Sequence, residues 1–406
     1  MSVLVSVLIC ARRLLIGIVA AYVITSLTLG GRRAAEPVFQ SLSAGWCVGV
    51  LLGHRFRIRH LIRECLFCRQ LHVLESLAGY LALLLVLAEV ALRAASGISP
   101  ADRSALDGHR LVPGHDYGAG LRGNSLGYPG PEFRKDKPAG TFRIAALGNS
   151  FAIGPTVPFA DNYLTLLEAR LPGVELYNFG VSGAGLRDYV AILRSDVWAY
   201  QPDLVLVSLL VSHDLTEFLP RPRYLDPRRH ALYLSLPVSG KARRPAPPRS
   251  RDGAKRLMRP ALSEDDFFGV QTRRLDLFRS PPLGSVEKKW QRAWADLETL
   301  ASGCRNHGVP LALVLIPDEC QVNDEALTAA LRIADLARTE LDLGLPQRRL
   351  REFCEARAMP CLDLRTAFTG AADAYTTRDT HWNVKGNHLG ADAIAAWIRE
   401  TCRPGR

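Results

Sequence analysis

The chain has 406 residues, and 48% of them are hydrophobic, so one large domain with appendages or two domains can be built around a sizeable core. The net charge of +11 is concentrated, because residues 219–260 contain twelve Lys or Arg and two acids. This segment has few aromatic residues between its basic ones, which argues against nucleic acid as a partner.

Residues 1–96 are interpreted as a membrane region. Two apolar runs, 14–30 and 76–93, are long enough to be candidate transmembrane spans. The Arg-rich residues 54–75 are predicted to stay cytoplasmic, which places the chain after about residue 96 outside. Two alternatives stay open: 76–93 as a buried core helix, and 14–30 as a signal-peptide-like segment or a misassigned start.

Residues 97–140 are rich in Gly, Pro, Asp and Arg and predict a linker and lead-in. An alternation of strands and helices follows, which predicts an α/β domain over 141–402 whose central parallel sheet is covered on both faces. The predicted strands are 143–147, 175–179, 204–210, 311–316 and 360–364. The predicted helices are 162–170, 186–200, 286–307, 325–341, 347–357 and 387–401.

Residues 219–285 interrupt this alternation as a basic, Pro- and Arg-rich insertion after the third strand. One interpretation is a solvated loop. The other is a basic cap over the site, suited to anionic glycans, acidic polymers or lipid headgroups.

The nine cysteines predict no metal site. Cys65 and Cys68 form a lone CxxC without a second pair or a nearby His at ligand spacing. If the C-terminal region is extracytoplasmic, disulfides can form, and Cys354 with Cys361 is the pair to test first. No cofactor is predicted either, since no phosphate-binding Gly-rich loop with a Lys is present.

Four short motifs follow predicted strands or precede the last helix, so they are expected at one edge of the sheet. The first ends in Ser150, a serine offered directly after a buried strand. The second is a Gly-rich turn that contains Gly183, where a backbone N–H can approach a substrate oxygen. The third contains His213, and the fourth contains Asp379 and His381, an acid and a base for a serine nucleophile.

This order of motifs over about residues 125–402 resembles the SGNH/GDSL hydrolase superfamily. The sequence Asp379-Thr-His381-Trp-Asn is similar to that of the SGNH-like proteins of polysaccharide O-acetylation, which form part of the bacterial membrane-anchored branch of this superfamily. The resemblance implies a three-layer, flavodoxin-like fold. It also implies that Ser150 is the nucleophile, that His381 is the base and that Asp379 orients His381.

The resemblance further implies an oxyanion hole made by the backbone N–H groups of Ser150 and Gly183. The family's third donor is an asparagine, and His213 stands at that position here, after Ser212 in place of a glycine. Asn149 stands where the family usually has Asp. His213 is interpreted as a replacement donor or, alternatively, as a packing or surface residue.

The expected function is therefore a membrane-anchored extracytoplasmic serine esterase or O-acyltransferase. It acts on ester-linked acyl groups of a glycan, a lipid or a small molecule through an acyl-Ser150 intermediate. The alternative is a weak or inactive SGNH-like protein that binds a glycan or a partner in polysaccharide assembly. The oligomeric state is left open.

Overall fold

A computed structural model describes residues 108–217, 219 and 262–402, with a few isolated positions before them. The chain divides into two compact units, and the unit made of residues 109–219 and 247–406 contains every element described below. The predicted spans at 14–30 and 76–93 and most of the basic insertion lie outside the described residues. Within the described part, no helix is long and apolar enough to span a bilayer.

The centre of the domain is a five-stranded parallel sheet. Its strands are β1 (Phe142–Gly148), β2 (Val174–Gly180), β3 (Leu204–Leu210), β4 (Leu311–Ile316) and β5 (Cys361–Asp363). Their order, β2-β1-β3-β4-β5, is that of flavodoxin-like doubly wound sheets, in which ligands bind where the strand order reverses, here between β1 and β3. Both β3 and β4 are buried along their whole length, because an all-parallel sheet is covered on both faces.

Helices cover the two faces of the sheet. They are α1 (Ser150–Ile153), α2 (Tyr163–Arg170), α3 (Leu186–Ile192), α4 (Glu264–Leu275), α5 (Gly284–Asn306), α6 (Asp324–Ala334), α7 (Leu345–Glu355), α8 (Arg365–Phe368) and α9 (Val384–Thr401). Helices α2, α8 and α9 pack with alternate residues of β1, β3 and β4 into one apolar core. Helices α3 and α5 contact β1 and β4, respectively, and each other. The predicted α/β class with a central parallel sheet is confirmed.

Several predicted helices have different bounds. The helix predicted over 186–200 is α3 followed by a π-helical turn, Leu193–Val197, and a 3-10 turn, Trp198–Tyr200. The helix predicted to reach 341 ends at Ala334, because Asp335 has a left-handed backbone with φ 51°. Helix α4 was not predicted: it lies in the segment interpreted as an insertion, and its charged first turn follows Ser263, whose side chain caps it.

The end of the predicted linker packs into the domain. A hairpin, Asp116–Gly118 with Leu121–Arg122, is followed by Tyr128, which is fully buried. Arg110 and the Tyr128 hydroxyl both donate to Asp196 on the π-helical turn. Residues 109–140, within the predicted linker, therefore belong to the same unit as the sheet.

Five cysteines lie in the described part, and all five are free. Cys354 lies in the last turn of α7, and Cys361 is the first residue of β5. Two effects raise the pKa of the Cys354 thiol: the hydrogen bond with Cys361 is the larger, and burial is the second. The two cysteines chosen for a first disulfide test are thus neighbours in the structure, and no disulfide joins them.

Candidate active site

Ser150 stands at a tight turn between β1 and α1. A Cβ added to Gly148 would lie 2.8 Å from the Cβ of Ala152, so the strand can approach the helix this closely only at a glycine. The Asn149 side chain caps α1 by accepting a hydrogen bond of 2.8 Å from the Phe151 N–H. The turn presents Ser150, which is only partly buried, at the carboxyl end of β1.

The structure brings Ser150, His381 and Asp379 together across 231 residues of sequence. His381 Nε2 lies 2.6 Å from Ser150 Oγ, and His381 Nδ1 lies 2.5 Å from Asp379 Oδ1. The same carboxylate oxygen accepts the His381 backbone N–H at 3.0 Å. Because a carboxylate accepts the Nδ1 proton, Nε2 of a neutral His381 is left to accept a proton from Ser150.

Trp382 anchors the segment that carries this pair. Its ring is buried and packs edge-on against Phe151 and Tyr163, and it stacks on Phe368. Its carbonyl accepts a hydrogen bond of 2.7 Å from Thr156 Oγ1. The ring next to His381 is therefore fixed to the core, which fixes the position of the imidazole.

Two opposing effects set the charge of Asp379. Burial raises the pKa of its carboxyl, but the hydrogen bond and charge of His381, its backbone N–H and the Arg274 charge lower it, and the net pKa is below its usual value. Asp379 therefore stays ionised at neutral pH, as an orienting carboxylate requires.

The Gly-rich turn after β2 offers a second backbone donor. Gly183 has φ +74°, a left-handed conformation that favours glycine. Within residues 108–217 and 262–402, neither its N–H nor that of Ser150 is bonded to an acceptor. Asn178, from the same motif, holds the turn against α1 by donating to the Ala152 carbonyl at 2.7 Å.

His213 lies after β3, and its two ring nitrogens face carboxylates. Nδ1 is 2.9 Å from Asp214 Oδ1, and Nε2 is 3.4 Å from Glu217 Oε2. Asn149 Nδ2 donates to the same Asp214 Oδ1 at 2.7 Å. Asn149 and His213, two of the three residues that depart from the family pattern, thus share one buried acceptor oxygen. No hydrogen bond joins His213 to Ser150 in the described part, and its role as an oxyanion donor stays a prediction.

The sequence did not reveal a buried polar group behind the site. Asp318, after β4, accepts a hydrogen bond of 2.5 Å from Ser212 Oγ. It also forms an ion pair with Arg274 of α4, at 3.2 Å. Beside them, burial first and then the Asp318 charge raise the pKa of Glu319 to about 8. Nothing in the sequence places Arg274 of α4 beside Asp318.

A cavity of about 590 Å³ lies elsewhere, at the amino ends of β1 and β3, where Phe142, Leu204 and Pro310 line it. It contains none of the predicted site residues, so the candidate site is defined by its side-chain geometry and not by this cavity. Within the described residues, no cluster of His, Cys, Asp and Glu could hold a metal ion.

The fold and this site define an α/β protein with a Ser-His-Asp relay. Residues 277–405 match the family model described as the SGNH hydrolase-like domain of the acetyltransferase AlgX, and this range includes Asp379 and His381. No curated protein matches the chain.

Three solved structures illustrate its similarity to others. An acetylxylan esterase from Geobacillus stearothermophilus, solved as a catalytic mutant, is 16% identical, with 65% of this chain and 96% of that chain covered and a TM-score of 0.35. A GDSL-like lipase from Bacteroides thetaiotaomicron is 12% identical, with 64% and 88% covered and a TM-score of 0.32. LAE5, an alpha/beta hydrolase enzyme from the metagenome of Lake Arreo, is 18% identical, with 64% and 97% covered and a TM-score of 0.32. Similarities this distant support no conclusion about the reaction.

The family match and the order of the motifs agree. Both point to a similarity with SGNH hydrolase-like domains, which the family model shows for residues 277–405.

Proposed function

We propose that the chain is a serine esterase or O-acyltransferase that removes or transfers ester-linked acyl groups of a glycan through an acyl-Ser150 intermediate. The observation that carries this proposal is the hydrogen-bonded relay, with 2.6 Å between Ser150 Oγ and His381 Nε2 and 2.5 Å between His381 Nδ1 and Asp379 Oδ1. The acetyltransferase description of the matching family model supports an acetyl group as the acyl group.

In the first half-reaction, Ser150 Oγ bonds to the acyl carbonyl carbon, and His381 Nε2 takes the serine proton. The carbonyl oxygen becomes negative and accepts from the backbone N–H groups of Ser150 and Gly183. The bond to the leaving alcohol then breaks, and that alcohol takes the proton from His381.

In the second half-reaction, water or a sugar hydroxyl gives its proton to His381 and attacks the acyl-Ser150 carbonyl. The bond to Ser150 breaks, and Ser150 regains its proton from His381. Water yields a free acid and a sugar hydroxyl yields a new ester, so hydrolysis and transfer share every residue of the relay.

The proposal places the domain outside the cytoplasm on a membrane anchor. Its support is the apolar run 76–93, which is long enough to span a bilayer, and the Arg-rich residues 54–75 before it. An alkaline phosphatase fused after residue 100 is expected to be active. An inactive fusion that is expressed at the same level contradicts this orientation.

The enzymatic proposal is tested by labelling the full chain with a fluorophosphonate probe. Labelling is expected in the wild-type chain and absent in Ser150→Ala. Ser182→Ala is a matched control, because Ser182 is an exposed serine on the neighbouring turn. Equal labelling of the wild type and Ser150→Ala contradicts an activated Ser150.

One observation favours the second candidate, a non-catalytic glycan-binding protein. The ring nitrogens of His213 face Asp214 and Glu217, so the third oxyanion donor expected from the family is not free in this conformation. Under this candidate, fluorophosphonate does not label Ser150, and the chain still binds a glycan.

A further inference from the structure

Asp214 determines which ring nitrogen of His213 carries a proton. Its buried carboxylate has two donors on each oxygen: Asn149 Nδ2 and His213 Nδ1 on Oδ1, and the Tyr189 hydroxyl and the Leu210 N–H on Oδ2. A carboxylate only accepts, so His213 Nδ1 must carry a proton. In neutral His213, Nε2 is then an acceptor and not a donor.

A second acceptor, the Glu217 carboxylate, faces His213 Nε2. His213 Nε2 and Glu217 Oε2 lie 3.4 Å apart, and the Glu217 side chain is 58% exposed. In the described part of the chain, no N–H or O–H group bridges the two. Two neighbouring acceptors that open to solvent need donors from a ligand or from water, because their lone pairs otherwise repel each other.

The pair adjoins the proposed catalytic relay on two sides. On one side, His213 shares the Asp214 oxygen with Asn149, which directly precedes Ser150. On the other side, the Glu217 backbone packs on Gly185, where an added Cβ would lie 2.0 Å from the Glu217 carbonyl oxygen. Gly185 is two residues after Gly183, so the segment that carries the pair contacts the turn that carries Gly183.

We propose that His213 Nε2 and the Glu217 carboxylate bind a vicinal diol of the carbohydrate substrate. Asp214 is a positioning residue that keeps His213 in the form with the proton on Nδ1. A vicinal diol, which most sugar rings present, offers two O–H donors side by side, one for each acceptor. The inference rests on the proposed function, since it names the substrate class recognised beside Ser150, and it assigns His213 to substrate binding instead of oxyanion stabilisation.

Binding is measured on the full-length Ser150→Ala chain, so that turnover does not interfere. The probe is methyl β-glucopyranoside, and its fully O-methylated derivative is the control ligand without O–H donors. Saturable binding is expected for the glycoside alone. Glu217→Ala and His213→Ala should each raise its Kd about tenfold, as expected for one lost hydrogen bond. Glu352→Ala, an exposed change on α7, is the matched control and should leave the Kd unchanged.

The conservative variant separates hydrogen bonding from bulk. His213→Gln keeps an N–H for Asp214 and a C=O for the diol, and it should recover much of the affinity that His213→Ala loses. No saturable binding, binding of the methylated derivative, or equal Kd values in all variants contradicts the proposal.

The role of Asp214 has its own readout. In ¹⁵N-histidine spectra, with the His213 signals assigned by their loss in His213→Gln, the proton should be on Nδ1 in the parent and move to Nε2 in Asp214→Asn. A proton on Nε2 in the parent contradicts the assignment, as does a ring protonated on both nitrogens throughout neutral pH.

Failure of the proposed function is recognised separately. If Ser150→Ala hydrolyses an aryl acetate as fast as the wild type, the catalytic assignment fails, and the binding result can still be judged by itself. If catalysis holds but the glycoside does not bind, only the diol site is contradicted.

Discussion

The domain contains two Asp–His pairs at one edge of the sheet, and they differ in the group that Nε2 of the imidazole faces. In both pairs, Nδ1 faces a buried carboxylate, at 2.5 Å for His381 and 2.9 Å for His213. Nε2 of His381 meets Ser150 Oγ at 2.6 Å, whereas Nε2 of His213 meets Glu217 at 3.4 Å.

Under the proposed function, an orienting carboxylate alone does not define a catalytic histidine. The carboxylate determines the tautomer, and the group opposite Nε2 determines the use. A serine hydroxyl opposite Nε2 makes a base, and a second acceptor opposite Nε2 makes a site for a donor.

The largest expected effect separates the two histidines. Under the proposed function, His381→Ala removes the base and should lower kcat for aryl acetate hydrolysis by about 10⁴ or more. His213→Ala should lower it by less than about tenfold, because in the proposed mechanism no proton passes through this ring. Steady-state kinetics of both variants decide the point. A loss of 10²–10³ in His213→Ala is the size expected for a missing oxyanion donor and would restore that role.

The next prediction concerns the oxygen that Asn149 and His213 share. Asn149→Asp places a second carboxylate 2.7 Å from Asp214 Oδ1 and should lower the free energy of unfolding by about 3 kcal/mol. The double variant Asn149→Asp, Asp214→Asn restores a donor between them and should recover most of this loss in urea denaturation.

Tyr189→Phe provides the scale for that experiment, because it removes one hydrogen bond to Asp214 without adding charge. It should lower the free energy of unfolding by only about 1 kcal/mol. If Asn149→Asp destabilises no more than Tyr189→Phe, the shared oxygen does not couple the two motifs.

Two glycines test how the oxyanion turn and the Glu217 segment fit together. Gly185→Ala adds a Cβ 2.0 Å from the Glu217 carbonyl oxygen and should lower the free energy of unfolding by about 3 kcal/mol. Gly183→Ala has room for the Cβ, 3.5 Å from Leu219, but its φ of +74° should lower it by about 1 kcal/mol. The reverse order in thermal unfolding contradicts this packing.

The smallest effect at neutral pH is expected from Glu319, which lies behind Asp379. Burial and the Asp318 charge raise its pKa from 4.5 to about 8, so the folded state binds a proton that the unfolded state releases. Its contribution is fully present below about pH 4.5 and is lost as pH rises towards 8.

Glu319→Gln should therefore flatten the dependence of unfolding midpoint on pH between 5 and 8. Glu325→Gln, an exposed change on α6, should leave it as in the wild type. Parallel pH curves for the wild type and Glu319→Gln contradict a protonated Glu319.

Much of the fold follows from local patterns. The strands predicted at 204–210 and 311–316 are observed with the same bounds, because continuous apolar runs of this length identify buried parallel strands. Helix α4 escaped prediction because its mean character is charged, and it packs through only a few residues such as Phe267. The break after Ala334 depends on a single left-handed residue, which periodicity does not reveal.

The site is predictable only in part. The motif order selected Ser150, Asp379 and His381, and the structure brings these three side chains together. The link between Asn149 and Asp214 spans 65 residues, and that between Arg274 and Asp318 spans 44. Such contacts depend on tertiary packing, so the sequence marked Asn149 and His213 as departures without showing their common partner.

The most direct test of the central claim is to trap the acyl-enzyme. The full chain is mixed with an aryl acetate, quenched in acid and digested, and the peptide that contains Ser150 is examined by mass spectrometry. We expect one acetyl group on Ser150, absent in Ser150→Ala and strongly reduced in His381→Ala. An unmodified Ser150 under conditions in which the wild type releases acetate would contradict it.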